Sequence, residues 1–299
     1  MTTRLMLVHA LSPLHAGTGQ SVGAIDLPIA RERPTGIPLI PGSSIKGALR
    51  ARSRDDQMTR DVFGPETAQS SEHAGSVQFS DAHLLLLPVR SLCGTFAWVT
   101  SPHLFRKFAR GARETGLDLA RLPTSPAMKD CCVLGDTLTI PGANGPRAVF
   151  EDLDFEVKND QEAVLKAFAV DLGKVLFPEG SPDFQDWRTS LAHRICLVHD
   201  DMMSFLLDTA MEVQAHIRLD NDTKTVERGG LWYQESLPAE SVLSGLVVAA
   251  DVKAANNRSE RTATALLDHV TSLAQGLVQL GGKATTGQGS CYVRMGGQA

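Results

Sequence analysis

Asp26 and His15 are the first side chains whose types and spacing suggest chemistry. They bracket a glycine-punctuated stretch, HAGTGQSVGAID. An aspartate in such a loop can hold a divalent metal or orient a nucleophile, and a histidine can pass a proton. The bland alternative is an Asx turn at Asp26 ahead of Pro28, with His15 an ordinary hydrogen-bonded loop residue. A second stretch, residues 36–50, reads GIPLIPGSSIKGALR. A short apolar run enters a Pro41-Gly42 turn, and a helix follows. Ser43 or Ser44 is placed to cap that helix. Its free amides, with Lys46 and Arg50, suit a phosphate. The alternative is a plain cap with solvated basic side chains.

Three further stretches carry candidate chemistry. Residues 281–290, GGKATTGQGS, place Gly281, Gly282, Lys283, Thr285, Thr286 and Gly287 in one loop. Its glycines permit close backbone approach to a ligand such as an RNA strand. It is not a P-loop, because Leu277 and Ala284 stand where that pattern needs Gly and Ser or Thr. The alternative is a flexible turn. HRICLVHDD, residues 193–201, pairs a histidine with aspartates, but too few for a phosphohydrolase centre. Asp200 or His199 reads better as a helix N-cap. In LWYQESLP, Trp232 and Tyr233 could stack on a base or fill a core.

The surrounding elements are mixed. Residues 4–11 read as a buried strand ended by Ser12-Pro13. A short strand is possible at 25–31, and a helix runs from about 44 to 53 with Ile45, Ala48 and Leu49 at buried-face spacing. Residues 55–75 read as a polar loop. SVQFSDAHLLLLPVRS and TFAWVTS read as strands, and SPHLFRKFARGARETG as a helix capped by Ser101 with Pro102 at its first position. Residues 121–146 resist assignment, and AVFEDLDFEV alternates as a strand. Helices are expected at 160–177 and across DDMMSFLLDTAMEV. Two strands flank the turn at Asn221-Asp222, SVLSGLVVAADV is a strand, and a helix capped by Ser259 precedes a glycine-rich loop and a terminal strand. The order is too irregular for a Rossmann fold. An α+β ferredoxin-like core with large insertions, 1–299 forming a single domain, fits better.

Composition narrows the partners. The chain has 299 residues, enough for a large core, and a net charge of −5, so a globally basic nucleic-acid binder is excluded. Any such binding must come from a local patch, and Arg31, Arg33, Lys46, Arg50, Arg52 and Arg54 form one. Five cysteines without a C-x-x-C pair suggest reduced thiols and no zinc site. The N-terminal apolar run is too short and interrupted for a signal peptide, so a cytoplasmic location is expected.

Taken in order, LHAGTG, IDLPIARERPTGIPLIPGSSIKGALR, LLLLPVRSLCGTFAWVTSP, LWYQESLP and LGGKATTGQG resemble the repeated backbone subunit of type III-B CRISPR effector complexes, a family of the RAMP superfamily. The resemblance spans nearly the whole chain and implies an RRM-like core elaborated as palm, fingers and an inserted thumb hairpin. It implies copies polymerising along a guide RNA beside other subunits of the complex. It implies a thumb that displaces a base of the guide–target duplex, and cutting of the target RNA at regular intervals. Cleavage there is metal-dependent, with Mg or Mn as the expected ion, through 2′-OH attack on the adjacent phosphate. The family's catalytic aspartate falls in IDLP, at Asp26, which is also the expected metal ligand. His15 matches the histidine of the first loop. The GSSIKGALR helix and the glycine-rich loop match guide contacts. One departure stands out: an acidic pair followed by tyrosine is replaced by Gln234-Glu235-Ser236, so of that trio only Glu235 is kept, and it joins Asp26 and His15 as a catalytic candidate. Two alternatives stay open: a purely architectural guide-RNA-binding subunit, and a stand-alone guide-processing endonuclease of the same superfamily.

Overall fold

Every residue from Arg4 to Ala10 in the first strand, β1 (Thr2–Ala10), is buried. A strand buried along its whole length needs cover on both faces. Met6, Val8 and Ala10 join one apolar cluster, while Leu5 and Leu7 join another. The computed structural model describes residues 1–19, 25–66, 73–117, 121–180, 182–253 and 260–296. After β1 come β2 (Leu39–Ile40), α1 (Gly42–Arg50), α2 (Asp56–Phe63), β3 (Val77–Phe79), β4 (Ala82–Arg90), β5 (Phe96–Thr100) and α3 (Pro102–Arg113). The middle holds β6 (Asp130–Val133), β7 (Arg147–Phe150), β8 (Leu153–Val157), α4 (Glu162–Leu176), α5 (Pro182–Arg194) and β9 (Ile195–Val198). The last part holds α6 (Asp200–Thr209), β10 (Glu212–Leu219), β11 (Val226–Ser236), β12 (Val242–Ala249), α7 (Ala263–Leu273), β13 (Leu277–Gln279) and β14 (Ser290–Gly296).

The strand order β14-β1-β12-β4 is antiparallel throughout, with Met6 opposite Gly245 and Val8 opposite Val293. α1 lies between β1 and β4 in sequence, and α7 between β12 and β14. That is the β-α-β-β-α-β order of a ferredoxin-like core, as expected. The sheet then extends through β5, β9, β6, β8 and β7, with β5 and β9 parallel. α1, α6 and α7 supply side chains to the first apolar cluster, and α3, α4 and α5 to the second. β10 and β11 form a separate two-stranded hairpin. Among the described residues no helix is long and apolar enough to cross a membrane.

Several expectations need correction. Residues 25–31 form no strand; they make isolated bridges, Leu27 to Gln234, Ile29 to Gly17 and Arg31 to Pro38. The polar stretch after 55 contains α2, whose N-terminus is capped by the Asp55 carboxylate accepting from the Met58 amide at 2.8 Å. Residues 147–157 are two strands turning at Glu151, which adopts φ +49°. β6 and α5 had no sequence signal: β6 is short, and α5 lacks a continuous apolar stripe. Ser259 lies outside the described residues, and Thr262 caps α7 instead.

Candidate RNA-binding and cleavage site

α1 presents its N-terminus through close packing rather than through a serine cap. Pro41 occupies the cap position, its ring-restricted φ of −57° suited to helix entry, and it has no side-chain group to cap the helix. The Gly42 amide donates to Asp81 Oδ1 at 2.8 Å. A Cβ at position 42 would lie 2.2 Å from the Phe79 carbonyl oxygen, so only glycine lets α1 sit this near β3. Ile45 and Leu49 anchor the helix in the core, leaving Ser43 and Ser44 exposed in the first turn. The expected serine cap is therefore absent: the Asp81 carboxylate takes the first amide, and both serine hydroxyls are exposed in the first turn.

The basic zone divides in two. Arg50 donates to the Gly64 carbonyl, Arg52 to those of Gln275 and Leu277, and Arg31 to those of Gly36 and Leu207. These three fasten neighbouring segments together. Arg33, Lys46 and Arg54 make no ion pair among the described residues and reach solvent.

The glycine-rich loop rests on the first loop. Gly281 has φ +72°, and a Cβ there would meet the His15 carbonyl oxygen at 2.4 Å. The Gly282 amide donates to that oxygen at 2.9 Å, and the Gly289 amide to the Pro13 carbonyl at 2.8 Å. Residues 281–287, including Lys283, Thr285 and Thr286, are exposed around a 3-10 turn. A cleft of about 440 Å³ opens where Ala16-Gly17, Ser44, Gly47-Ala48, Gln279 and Gly281-Gly282 meet. Three stretches far apart in sequence thus share one small-residue wall, to which a polyanion backbone can approach closely.

Asp26 sits at the base of the hairpin. Leu27 pairs with β11: its amide donates to the Tyr233 carbonyl at 3.0 Å, and its carbonyl accepts from the Glu235 amide at 2.9 Å. Asp26 Oδ2 accepts from the Tyr233 amide at 2.8 Å while the residue stays exposed. His15 and Glu235 differ from it in being buried, 7% and 4% exposed. The His15 Nδ1 donates to the Glu235 carbonyl at 2.7 Å; a carbonyl can only accept, so this nitrogen carries a proton. Glu235 Oε1 accepts from Arg31 Nη2 at 2.6 Å, and Oε2 from the Ile29 amide at 3.0 Å. Both carboxylate oxygens hold the 27–31 segment. Sequence reading missed the buried link from Gln234 Nε2 to Gln288 Oε1, 2.7 Å, which ties the Asp26 segment to the glycine-rich loop. Neither glutamine gave a signal, because the pair is separated by 54 residues.

The remaining candidates have structural roles. His199 caps α6, its Nδ1 accepting from the Asp201 amide. Trp232 stacks on His216 within the hairpin, with centroids 5.5 Å apart. Among the described residues no three His, Cys, Asp or Glu side chains converge as metal ligands. Asp26 offers one exposed carboxylate. That suits a Mg²⁺- or Mn²⁺-type ion taking most of its oxygens from water and phosphate, and does not suit an all-protein cage.

Residues 7–292 match the model of the RAMP superfamily. The chain is 30% identical over 301 residues to the CRISPR system Cmr endoribonuclease Cmr4 of Pyrococcus furiosus, covering 99% of this chain and 96% of that protein. It is 24% identical to the CRISPR system CMR subunit Cmr4 of Saccharolobus solfataricus, covering 96% and 94%. Among solved structures, oligomeric Cmr4 from Pyrococcus furiosus superposes with a TM-score of 0.74 at 23% identity, over 100% of this chain and 99% of that one. A chain of the type III-B Cmr-beta complex bound to cognate target RNA gives 0.71 at 21% identity, over 99% and 97%. With its ferredoxin-like order, the IDLP segment on the hairpin base and a family match over almost its whole length, this chain belongs to the RAMP superfamily.

Proposed function

We propose that this chain is the repeated backbone subunit of a type III-B CRISPR complex, which assembles with copies of itself and other subunits along a guide RNA and cuts complementary target RNA. The observation that carries this reading is the hydrogen bond from the Tyr233 amide to Asp26 Oδ2. It fixes an exposed carboxylate at the foot of the β10–β11 hairpin. That hairpin exposes Val213, Ile217, Leu219, Val226 and Leu231, an apolar surface suited to wedge between stacked bases. A wedge that unstacks one nucleotide frees its ribose from A-form geometry, and the same rigid unit holds the acid that meets it.

In the proposed reaction the 2′-oxygen attacks the adjacent phosphorus, the 2′-hydroxyl proton departs, and the bond to the 5′-oxygen breaks. The products are a 2′,3′-cyclic phosphate and a 5′-hydroxyl, which takes up a proton. Asp26 orients the ribose-phosphate and would hold a divalent cation, which when bound supplies charge neutralisation at the phosphate. Ser43, Ser44, Lys46 and the exposed Lys283, Thr285 and Thr286 of the glycine-rich loop grip the guide backbone without reading sequence; base pairing supplies specificity. His15 and Glu235 act as positioning residues, since both are buried and bonded to the segments that carry Asp26 and the glycine-rich loop. The architectural reading, binding without cutting, gains from one observation: of the three catalytic candidates only Asp26 reaches solvent.

The test is an assembled complex given a complementary target with a single 2′-deoxy substitution. The reading predicts regularly spaced cuts with cyclic-phosphate ends, and loss of the one cut at the deoxy position. An uncut all-ribose target favours the architectural reading, and a cut at the deoxy position refutes the mechanism.

A further inference from the structure

The first cleft uses α1 and the glycine-rich loop, but a second cationic surface lies on α3, outside the candidate site described above. His103 stands three and four residues before Arg106 and Lys107, and these stand four and three before Arg110, so the four share one side of the helix. The opposite face, Leu104, Phe105, Phe108 and Ala112, is buried. A cleft of about 370 Å³ separates this stripe from Pro34 and Thr35 on the loop that continues from Asp26. Lys107 Nζ binds Glu32 Oε1 at 2.5 Å, and Thr35 donates to the other Glu32 oxygen at 2.6 Å, so the acid at the cleft edge is already neutralised. Arg106 keeps only a loose 3.7 Å pairing to Asp200 and is 52% exposed. Arg110 makes no ion pair among the described residues, and Arg33 lies exposed on the same loop as Pro34. On a chain of net charge −5, this concentrates positive charge beside the loop that begins at Glu32, six residues after Asp26.

We propose that the cleft between the 33–35 loop and α3 binds the phosphates of a second RNA stretch, the target strand to one side of the cut linkage. This deepens the reading of the chain as an RNA-cutting subunit and rests on it. RNA is favoured over an acidic protein face because the cleft continues from the segment that carries Asp26. Arg106 and Arg110 also project to solvent in helical register, which suits a polyanion lying along the helix.

The test is salt-dependent binding of the full chain to an unstructured oligouridine, in three forms: wild type, Arg106→Gln/Arg110→Gln, and Lys46→Ala/Lys283→Ala. Each lost phosphate contact lowers the slope of log K against log salt by about 0.7. The α3 variant is therefore expected to lose up to about 1.4 in slope, with an unchanged unfolding midpoint. An unchanged slope and affinity in the α3 variant overturns the inference. If the Lys46/Lys283 variant still loses binding in that case, the first cleft survives; if neither variant changes, both readings fall. Loss of self-association with RNA binding intact would make α3 a protein contact and would also overturn the inference.

Discussion

Replacing Glu235 by glutamine separates a positioning role from a catalytic one. The carboxylate is 4% exposed, 2.6 Å from Arg31 Nη2 and 3.0 Å from the Ile29 amide. Glutamine keeps the shape and one acceptor but removes the charge, so Arg31 loses its close counter-ion. Breaking a fully buried pair costs about 3–5 kcal/mol. Here the figure is smaller, because the Arg31 side chain is 21% exposed, Asp208 stands 4.0 Å away and two carbonyls still accept from the guanidinium. We expect a loss of about 2 kcal/mol for Glu235→Gln, near the value of a charge-assisted hydrogen bond. Glu235→Ala should lose about 3 kcal/mol, since the Ile29 amide is orphaned as well. Adding Arg31→Met to Glu235→Gln should cost less than the sum of the single changes by about 1 kcal/mol or more. Urea unfolding of the isolated chain measures all of these. A Glu235→Gln protein with an unshifted unfolding midpoint but abolished cleavage in the assembled complex would refute the reasoning and make the glutamate a catalytic residue.

Other consequences follow from single contacts. Gly42→Ala forces a methyl to within 2.2 Å of the Phe79 carbonyl, so α1 must shift; a stability loss of about 2 kcal/mol and weaker RNA binding are expected, by calorimetry and fluorescence anisotropy. Burial lowers the pKa of His83 and His269 from the ordinary 6.5, so in acid the unfolded chain takes up protons that the folded chain refuses. Stability should be level above that pH and fall as pH drops below it, and His83→Asn/His269→Asn should flatten the step in a Tm–pH series. The Lys107 hydrogen bond holds the Glu32 carboxyl below its ordinary 4.5, which adds a second loss as pH falls through that lower value. Burial pushes Cys132 and Cys291 up to about 12 and Cys196 well above the ordinary thiol, while Cys93 is partly exposed. Alkylation of the native chain at pH 8 should therefore label Cys93 alone by mass spectrometry, and Cys93→Ser should remove the label.

What was legible in the sequence is what short-range physics writes there. Continuous apolar runs gave β4 and β12, Ser101-Pro102 gave the start of α3, and the Asn221-Asp222 turn gave the hairpin. α2 is a polar helix that buries little besides Val62 and Phe63 at its end, so its periodicity was faint. The cap of α1 was misread because serine is the commoner cap, whereas the packing of Gly42 against β3 leaves that place to Pro41. Asp26, His15 and the two glycine-rich loops were visible as local composition. The Arg31–Glu235 pair, 204 residues apart, was not, because only the tertiary fold brings them together. For the same reason Arg31, Arg50 and Arg52 read as free cations in the sequence but serve as fasteners in the fold.

The central claim is that one exposed carboxylate, held by the hairpin base, governs cutting. The most direct measurement compares wild type with Asp26→Asn in the fully assembled complex, under single turnover, with the 5′ ends of the target fragments mapped. Asparagine keeps an acceptor for the Tyr233 amide, so assembly and target binding should be unchanged while the rate at every cut site falls by about 100-fold or more. Cutting at the wild-type rate by an intact Asp26→Asn assembly would contradict the account.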